Sequence, residues 1–338
     1  MKVVIPVAGF GSRLRPHTLL HPKVLLKVAH KPMIFFIVDQ ILKEKISDHI
    51  VFIIGYLGED IKEYILSEFS EYKNVKFEFV VQDIPKGLGH AIHTSKKAFT
   101  GNKDTEIFII LGDTLFDVDL KKLINNNNSV IGVKKVDNPQ RFGVVEKNDK
   151  GIITKFVEKP ASKEVSPSND AIVGLYYIKN SELLFDSIEY LFKNEIKTKD
   201  EYQLTDALAR MIELNENMET YYVDGWLDCG KHETILETNS YILNKHFNNQ
   251  KYNFPDVKIN YPVFIGDNVL IKNSEIGPNV SIHDNCKISD SKIFDSIIDT
   301  GSEITSSKIN NSLIGKFSKM KNYNGQVSIG DYSEVKAD

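Results

Sequence analysis

The chain has 338 residues, with 42 Lys and Arg against 46 Asp and Glu, so its formal net charge is −4. Hydrophobic residues make up 41% and charged residues 26%, which is ordinary for a globular protein and excludes a disordered chain, a collagen-like repeat and a disulfide scaffold. The length suggests two domains, or one large domain with an appendage. The slightly acidic balance argues against a general nucleic-acid binder but leaves room for phosphate ligands, because a local cluster of cations matters more than total charge.

The longest apolar runs, residues 3–8 and 107–111, are strand-sized and far short of the ~20 residues that span a bilayer. The first run directly follows the initial Met-Lys, with no small-residue cleavage site, so we expect neither a signal peptide nor a membrane partner. Cys229 and Cys286 lie in segments that read as different domains. We therefore expect no disulfide and a reducing, cytoplasmic location.

The first half alternates β-branched runs with segments whose apolar residues recur at helical spacing. Strands are predicted at 3–7, 49–54, 75–81 and 106–111, and helices at 31–45, 59–69 and 88–99. This alternation predicts a Rossmann-like α/β domain with a mixed, mostly parallel sheet covered on both faces. Ligands of such sheets bind beyond the carboxyl ends of the strands, where the 9–15 loop, the 82–87 segment and Asp113 fall.

The middle of the chain adds strands at 130–134, 143–146, 152–158 and 171–178, and then helices at 181–192 and 202–214. A helix at 231–247 is predicted to close the first domain. The predicted organisation is a first domain at 1–247, a linker at 248–258 and a second domain at 259–338.

The second domain has a different period. Isoleucines recur at intervals of five or six residues, and Gly, Asn, Asp or Ser follows most of them; they stand at 265, 271, 276, 282, 288, 293, 298, 304, 309 and 314. No α-helix has this repeat. It is typical of a hexapeptide-repeat, left-handed parallel β-helix in which one aliphatic residue per facet points inward, with some irregular turns.

The sequence Gly-Phe-Gly-Ser-Arg-Leu-Arg-Pro at residues 9–16 follows the first predicted strand. Glycines allow backbone N–H groups to approach a phosphate chain, and the arginines supply compensating charge. Leu14 stands where a dinucleotide-binding motif needs its third glycine, and the P-loop pattern is absent. A simple Rossmann cofactor site is therefore disfavoured.

Two aspartates are candidates for a metal site. Asp113 follows the apolar run at 107–111, and Asp228 lies in Trp-Leu-Asp-Cys-Gly at 226–230. Carboxylates from distant segments that reach one crevice suit Mg²⁺, which prefers oxygen ligands and keeps substrate phosphates in its shell. The alternative is that each aspartate is a turn former or a helix N-cap.

These motifs together resemble the sugar-1-phosphate nucleotidyltransferase family over residues 1–245, and the β-helical tail is a recurrent appendage of that family. Within the family, the chain is most similar to the long form of glucose-1-phosphate thymidylyltransferase, although residues 87–91 resemble the uridylyltransferases. The matching motifs occur in family order at 9–18, 22–23, 31–34, 87–91, 111–113, 142–146, 158–160, 174–177, 201–206 and 226–230. Phe10 and Cys229 depart from the common pattern, and neither change removes a charge from the expected site.

The resemblance implies that a sugar-1-phosphate oxygen attacks the α-phosphorus of a nucleoside triphosphate, giving a nucleotide-sugar and pyrophosphate. Arg13 would stabilise the triphosphate and its leaving group, Lys23 would contact phosphate near the α-position, and Lys159 would hold the sugar phosphate. Asp113 and Asp228 would fix Mg²⁺, the one expected cofactor.

The resemblance also implies two binding sets. The nucleotide would contact Ala8, Gly9, Gly11, Ser12, Gln82 and Gly87. The sugar would contact Gly143, Glu158, Ile172, Glu201 and Thr205. Alternatively, Gly143 marks a bulge between strands and Glu158 an exposed strand end.

Competing functions remain at this point. One is a bifunctional enzyme whose β-helix transfers an acyl group, for which His283 is the only histidine after His246. Others are a mannose-1-phosphate guanylyltransferase and a non-catalytic nucleotide-sugar sensor. The residues do not distinguish thymidine from uridine or fix the sugar. We expect a homo-oligomer, because the ends and flat faces of solenoids are ready subunit contacts.

Overall fold

The computed structural model describes residues 1–99 and 106–337. The chain divides into two compact units: the first contains Met1–Gly9 and Ile37–Trp226, and the second contains Phe10–Phe36 and Leu227–Asp338. The short segment Phe10–Phe36 therefore belongs with the C-terminal part of the chain. Within the described residues, no helix is long and apolar enough to cross a lipid bilayer.

The strands and helices before the β-helix alternate along most of the chain. The strands are β1 (Lys2–Pro6), β2 (Lys27–Val28), β3 (Lys31–Pro32), β4 (His49–Ile54), β5 (Lys76–Val81), β6 (Ile107–Ile110), β7 (Thr114–Asp117), β8 (Ser129–Lys135), β9 (Gly143–Lys147), β10 (Ile153–Glu158), β11 (Asp170–Ile178), β12 (Met218–Tyr222) and β13 (Gly225–Asp228). The helices are α1 (Met33–Lys43), α2 (Gly58–Glu68), α3 (Leu88–Thr94), α4 (Leu120–Ile124), α5 (Ser181–Lys193), α6 (Leu204–Glu213) and α7 (His232–His246). Short 3₁₀ helices lie at Ser12–Leu14, Lys23–Leu25, Ser95–Phe99 and Pro139–Arg141.

A nine-stranded mixed sheet forms the centre of the first unit, with the main order β10-β9-β11-β6-β1-β4-β5 and with β8 and β12 joined through β11. Strands β6, β1, β4 and β5 run parallel, and β11 is antiparallel to β6. The apolar runs of β1, β4 and β6 are buried because helices cover both faces of a parallel sheet. The predicted Rossmann-like mixed sheet is confirmed.

Several short elements were not predicted. Strands β7 and β13 form a two-stranded sheet of their own, and α4 is a five-residue helix. Such elements are too short to show a periodic pattern. The predicted helix at 88–99 is α3 followed by a 3₁₀ turn. Helix α6 begins two residues later than predicted, and the Tyr202 carbonyl, which a helix from residue 202 would use, accepts from the Gly89 N–H instead.

The C-terminal strands form three parallel sheets of five strands each, in the orders β14-β17-β20-β23-β26, β15-β18-β21-β24-β27 and β16-β19-β22-β25-β28. Their bounds are β14 (Val257–Ile259), β15 (Val263–Ile265), β16 (Leu270–Lys272), β17 (Ser274–Ile276), β18 (Val280–Ile282), β19 (Lys287–Ser289), β20 (Lys292–Phe294), β21 (Ile297–Ile298), β22 (Glu303–Thr305), β23 (Lys308–Asn310), β24 (Leu313–Ile314), β25 (Lys319–Lys321), β26 (Asn324–Gly325), β27 (Ser328–Ile329) and β28 (Glu334–Lys336). Every third strand stacks on the same face, which confirms the parallel β-helix and is consistent with the predicted left-handed form.

The isoleucine repeat explains the interior of this β-helix. All ten predicted isoleucines are at most 6% exposed. Coils pair at an offset of 17 residues at Val257–Ser274 and 15 residues at Leu313–Ser328, so the intervals of five and six reflect coils of unequal length. The corners use Asn and Asp at positive φ, a conformation that these side chains tolerate better than most. Cys229 and Cys286 are both buried thiols.

Candidate functional site

In the first unit, four of the five residues predicted to bind sugar lie together. Oγ1 of Thr205 donates a hydrogen bond to Oε2 of Glu158 over 3.1 Å. A Cβ added at Gly143 would lie 3.0 Å from the same oxygen, 3.1 Å from Cγ2 of Thr205 and 3.3 Å from Cδ1 of Ile172. The absence of a side chain at Gly143 therefore keeps a space open beside the Glu158 carboxylate. We call Gly143, Glu158, Ile172 and Thr205 the Glu158 cluster.

The fold brings this cluster together from distant parts of the sequence. Strands β9 and β10 are antiparallel and place Gly143 opposite Glu158. Strand β11 pairs with β9 and carries Ile172, while Thr205 lies in the first turn of α6. The predicted alternative of an exposed strand end does not describe Glu158, whose side chain is 11% exposed.

Lys159 adds a cation to the edge of the cluster. Its Nζ lies 3.2 Å from Oε1 of Glu158, and its side chain is 40% exposed. The residue has φ of 46°, which is uncommon for a residue other than glycine. The hydrogen bond from its N–H to the Phe142 carbonyl, at 3.0 Å, holds the backbone in that conformation.

Two residues near the cluster were not predicted. Burial raises the pKa of Tyr176, and the charge of Glu158 raises it further. Burial also raises the pKa of Asp206, against the hydrogen bond with Thr198, and Glu158 adds to the rise. Asp206 belongs to the 201–206 motif from which only Glu201 and Thr205 were chosen. That motif was the available signal for Asp206.

Glu201 lies against the loop that carries Gly87. A Cβ at Gly87, whose φ is 108°, would lie 2.9 Å from Cβ of Glu201 and 2.6 Å from the Tyr202 carbonyl. Nε2 of Gln203 donates to Oε2 of Glu201 over 3.0 Å. Since the N–H of Gly89 also bonds to the Tyr202 carbonyl at 2.9 Å, the loop and the 201–203 segment form one hydrogen-bonded structure.

Gln82 follows β5, and its backbone N–H bonds to the Ile54 carbonyl over 2.8 Å. The side chain is 7% exposed, and Nε2 is 2.9 Å from Nδ1 of His90. Burial lowers the pKa of His90, and the charges of Lys86 and His93 lower it further. The imidazole is thus neutral near pH 7 and its Nδ1 can accept the amide hydrogen. The sequence suggested no role for His90 beyond its helix.

Ala8, Gly9 and Asp113 stand at the carboxyl ends of β1 and β6. A Cβ on Gly55, which follows β4, would lie 2.9 Å from both Cβ and the carbonyl oxygen of Ala8. No atom lies within 4 Å of a Cβ built on Gly9. Oγ1 of Thr114 donates to Oδ1 of Asp113 over 3.3 Å. These residues therefore line the edge of the sheet at which ligands of parallel strands bind.

In the second unit, the glycine loop folds onto Lys23. Gly11 has φ of 61°, and a Cβ there would lie 2.9 Å from Cβ of Lys23. Oγ1 of Thr18 donates to the Gly11 carbonyl over 2.8 Å. The 3₁₀ turn that follows buries Leu14 and leaves Ser12 and Arg13 exposed. The arginine side chain is thus presented to solvent from an anchored turn.

Asp228 is the last residue of β13, and its side chain lies over Gly230. A Cβ on Gly230 would be 2.9 Å from Oδ1 of Asp228. Cys229 is buried beside Thr238, with Sγ 3.4 Å from Oγ1. The described residues contain no group of three or more His, Cys, Asp or Glu that could hold a metal ion. A metal ion at Asp113 or Asp228 would therefore take ligands from its substrate or from water.

A separate groove in the second unit has a volume of about 830 Å³. It lies between α7 and the β-helix, and its walls include Glu233, Glu237 and Asp295. No lysine or arginine is among the described residues that line it. Its negative charge is unfavourable for a triphosphate, so its size does not make it the nucleotide site.

Comparison with known proteins gives the family of most of the chain. Residues 2–245 match the family model described as nucleotidyl transferase. The chain belongs to the nucleotidyl transferase family. The low-salt glycan biosynthesis nucleotidyltransferase Agl11 of Haloferax volcanii is 35% identical over 249 residues, which are 72% of this chain and 66% of that protein.

Other relatives of this nucleotidyl transferase extend the comparison. A bifunctional sugar-1-phosphate nucleotidylyltransferase/acetyltransferase of Sulfurisphaera tokodaii is 32% identical over 278 residues, 80% of this chain and 63% of that protein. The chain thus spans less than two thirds of the length of these curated relatives. A solved UDP-glucose pyrophosphorylase complexed with UDP-glucose matches with a TM-score of 0.61 and 26% identity, over 72% of this chain and 99% of the other. The resemblance seen in the sequence motifs is confirmed.

Proposed function

We propose that this nucleotidyl transferase catalyses Mg²⁺-dependent transfer of a nucleotidyl group from a nucleoside triphosphate to a hexose 1-phosphate. We favour dTTP or UTP as the donor and glucose 1-phosphate as the acceptor. The observation that carries the proposal is the Glu158 cluster with Lys159 beside it, since distant segments frame one space with a carboxylate, a hydroxyl and a cation. The relatives described as sugar-1-phosphate nucleotidylyltransferase and UDP-glucose pyrophosphorylase support the same reaction.

The hexose would occupy the space that Gly143 leaves open. The Glu158 carboxylate accepts from Thr205 and pairs with Lys159, yet a carboxylate has about four acceptor positions and can also take sugar hydroxyls. Backbone groups of Gly143 and Ile172 would complete this contact, and Glu201 would bind further hydroxyls. The Lys159 ammonium would then hold the 1-phosphate at the edge of the cluster.

In the reaction, an oxygen of the sugar phosphate bonds to the α-phosphorus while the bond to the bridging oxygen breaks, and pyrophosphate leaves. No protein nucleophile is needed, because this class of transfer depends mainly on positioning and charge neutralisation. Arg13 would stabilise the departing pyrophosphate and Lys23 the α-phosphate. Gly11 and Ser12 would offer backbone N–H groups to the phosphate chain.

Gln82 and the backbone at Gly87 would bind the base, with Ala8 and Gly9 lining the slot. The contact between Nε2 of Gln82 and His90 leaves Oε1 of Gln82 to accept the N3–H of a pyrimidine dione. This arrangement supports uracil or thymine, both of which carry a donor at N3.

Asp113 and Asp228 would hold the magnesium ion. Both are carboxylates, the ligands that Mg²⁺ prefers, and glycine at position 230 leaves the Asp228 carboxylate uncovered on one side. A small set of protein ligands suits an ion that shares its shell with phosphate oxygens. When bound, the ion supplies Lewis-acid polarisation and a template for the phosphate.

We further propose that residues 1–247 form the catalytic domain, 248–258 a linker and 259–338 the β-helix domain. Two buried cysteine thiols in separate parts of the chain suit a reducing, cytoplasmic location. The flat faces of the β-helix suit a homo-oligomer.

Acyl transfer by the β-helix is disfavoured by the position of its histidine. His283 is 2% exposed, and its ring lies 5.6 Å from that of Phe264. Burial lowers its pKa to about 4. A general base must contact the proton that it removes, and a ring buried in this way does not reach an acceptor in solution.

The test is a panel of dTTP, UTP, GTP, CTP and ATP, each combined with glucose, mannose, galactose and N-acetylglucosamine 1-phosphates, with released pyrophosphate measured. We expect the highest kcat/KM with dTTP or UTP and glucose 1-phosphate in the presence of Mg²⁺. A preference for GTP and mannose 1-phosphate would contradict the assigned substrates. No pyrophosphate from any pair would contradict the reaction itself.

A further inference from the structure

The segment that carries the proposed phosphate-binding residues is packed against the β-helix. Phe10–Phe36, which contains Gly11, Arg13 and Lys23, groups with Leu227–Asp338 rather than with the sheet that precedes and follows it in sequence. The segment is therefore held by residues some 300 positions away along the chain.

Polar contacts with two coils of the β-helix hold the Phe10–Phe36 segment. Nε2 of His21 lies 2.7 Å from Oδ2 of Asp331, in the turn after β27. Nε2 of His17 lies 2.9 Å from Oγ of Ser328, in β27 itself. Nζ of Lys27 lies 3.2 Å from Oδ1 of Asp299, after β21. Successive contacts along the segment thus meet the same side of the β-helix.

The start and the end of the segment are held as well. A Cβ on Gly330 would lie 3.1 Å from Cβ of Pro16, so the last coil passes closely beneath the proline. The N–H of Ala29 donates to Oδ1 of Asn239 in α7 over 2.8 Å, and Oγ of Ser281 donates to the same oxygen over 2.6 Å. Asn239 thereby links the segment to β18.

Burial makes these contacts costly to break. The Asp331 side chain is only 7% exposed. Its burial acts against the charged form, yet the hydrogen bonds from His21 and from the Lys316 N–H outweigh it and lower the pKa of Asp331. Removal of His21 would take one hydrogen-bond donor away from the largely buried Asp331 carboxylate, and a buried acceptor that loses its partner destabilises the fold. These contacts therefore hold the Phe10–Phe36 segment in place on the β-helix.

The fixed positions alternate with the proposed phosphate-binding residues. Arg13 precedes His17 by four residues, and Lys23 lies between His21 and Lys27. The Gly11 turn also packs on Lys23, because a Cβ added at Gly11 would lie 2.9 Å from Cβ of Lys23. A shift of His21 would therefore move both the lysine and the glycine turn.

We propose that the β-helix is a positioning element for nucleotidyl transfer, and that His21 and Asp331 are positioning residues that hold the phosphate-binding segment. This role rests on the proposed function. A displacement of about 1 Å in a group that orients a reacting phosphate is sufficient to lower the rate by one to two orders of magnitude.

The experiment compares Asp331→Asn, His21→Gln and the double variant with a matched control, Asp284→Asn. Asp284 occupies the equivalent turn of an earlier coil and accepts the Asp267 N–H over 2.9 Å, as Asp331 accepts the Lys316 N–H over 2.9 Å. The difference is that Asp331 also pairs with the N-terminal segment. Asp284→Asn thus tests the loss of a turn carboxylate alone.

We measure KM for each substrate, kcat, and amide hydrogen exchange over residues 11–28 in the full-length protein. Asp331→Asn and His21→Gln should each lower kcat/KM for the triphosphate about tenfold, leave KM for the hexose 1-phosphate unchanged and speed exchange in the segment. The double variant should have about the same kcat/KM as either single variant, because both substitutions remove the same contact between His21 and Asp331. Asp284→Asn should stay within about twofold of wild type.

Unchanged exchange in Asp331→Asn would overturn the proposal whatever the activity. Faster exchange with unchanged kcat/KM would also overturn it, because the contacts would then hold the segment without serving transfer. A wild-type protein that releases no pyrophosphate from any substrate pair would instead refute the proposed function, and the exchange data would still report whether the β-helix holds the segment.

Discussion

Nε2 of Gln82 and Nδ1 of His90 lie 2.9 Å apart, and this contact sets which end of the Gln82 amide faces outward. Because His90 occupies the amide nitrogen of Gln82, the amide oxygen is left to accept a hydrogen bond from a ligand. Uracil and thymine present a donor at N3, whereas cytosine presents an acceptor. We therefore expect His90→Leu to raise KM for UTP or dTTP about five- to tenfold and to weaken discrimination against CTP, the effect of losing one hydrogen bond.

His93→Leu is the matched control for that variant. His93 lies one turn further along α3 and contacts Glu189 rather than Gln82. Its KM for UTP should stay near the wild-type value. A His90→Leu enzyme that keeps both its KM and its rejection of CTP would remove His90 from base recognition.

Gly143→Ala should block the hexose. The added methyl group would stand 3.0 Å from Oε2 of Glu158, in space that the proposed sugar occupies. We expect KM for glucose 1-phosphate to rise at least about tenfold, the cost of one methyl group too many in a fitted pocket. KM for the nucleotide should not change. An unaltered KM for the sugar phosphate would show that the hexose binds elsewhere.

Asp113→Asn and Asp228→Asn should each lower Mg²⁺-dependent kcat by at least about 10²-fold, because an amide lacks the charge that offsets the metal ion. Asp224→Asn, four residues before Asp228 and exposed, is the control and should remain active. Turnover is measured against Mg²⁺ concentration. More than a few per cent of wild-type activity in Asp113→Asn would exclude Asp113 from the metal site.

Arg13→Ala should lower kcat by roughly 10²–10³-fold, by analogy with the loss of one preorganised donor at a developing charge. Arg15→Ala is the natural comparison, since Arg15 is also exposed and lies two residues away. Its kcat should fall far less. If the two variants lose equal activity, general positive charge rather than the position of Arg13 explains the effect.

Acid should destabilise the second unit through His17 and His283. Burial lowers the pKa of each from 6.5 to about 4. Between these pH values the unfolded chain binds protons that the folded chain does not, so stability falls as the pH drops from 6.5 to 4. Each histidine should contribute about 3 kcal/mol to this loss, which is complete below pH 4.

Urea denaturation across this range tests the expectation. His17→Gln removes one titrating ring, so its unfolding midpoint should fall less steeply with acid than that of the wild type. Above pH 7 the two proteins should respond to pH equally. If the unfolding midpoints of His17→Gln and of the wild type fell equally between pH 4 and 6.5, the role of His17 would be contradicted.

The parts of the molecule that repeat were the ones that could be predicted. The isoleucine interval indicated the β-helix because each inward residue is set by local geometry. The continuous apolar runs indicated the buried strands β1, β4 and β6 for the same reason. By contrast, β7 and β13 are stabilised by each other across the chain, and their sequences alone show no period.

For the candidate site, the motif resemblance named Gly143, Glu158, Ile172 and Thr205 as sugar contacts. The structure brings these four residues together, although no pattern in the sequence requires them to meet. The resemblance did not predict the side-chain contacts that orient the proposed site residues. The bond between Gln82 and His90 depends on how β5 and α3 are placed in three dimensions. No local signal encodes a contact of that kind.

The pairing of His21 with Asp331 spans 310 residues, which has a consequence for how the protein is made. At ribosomal speeds of 5–20 residues per second, about 15 to 60 s separate the emergence of these two partners. During that delay the nascent chain lacks the coil that contacts Pro16, His17 and His21. We therefore expect a nascent chain that does not yet contain Asp331 to catalyse transfer at least about tenfold more slowly than one that does, even after its first 247 residues have emerged.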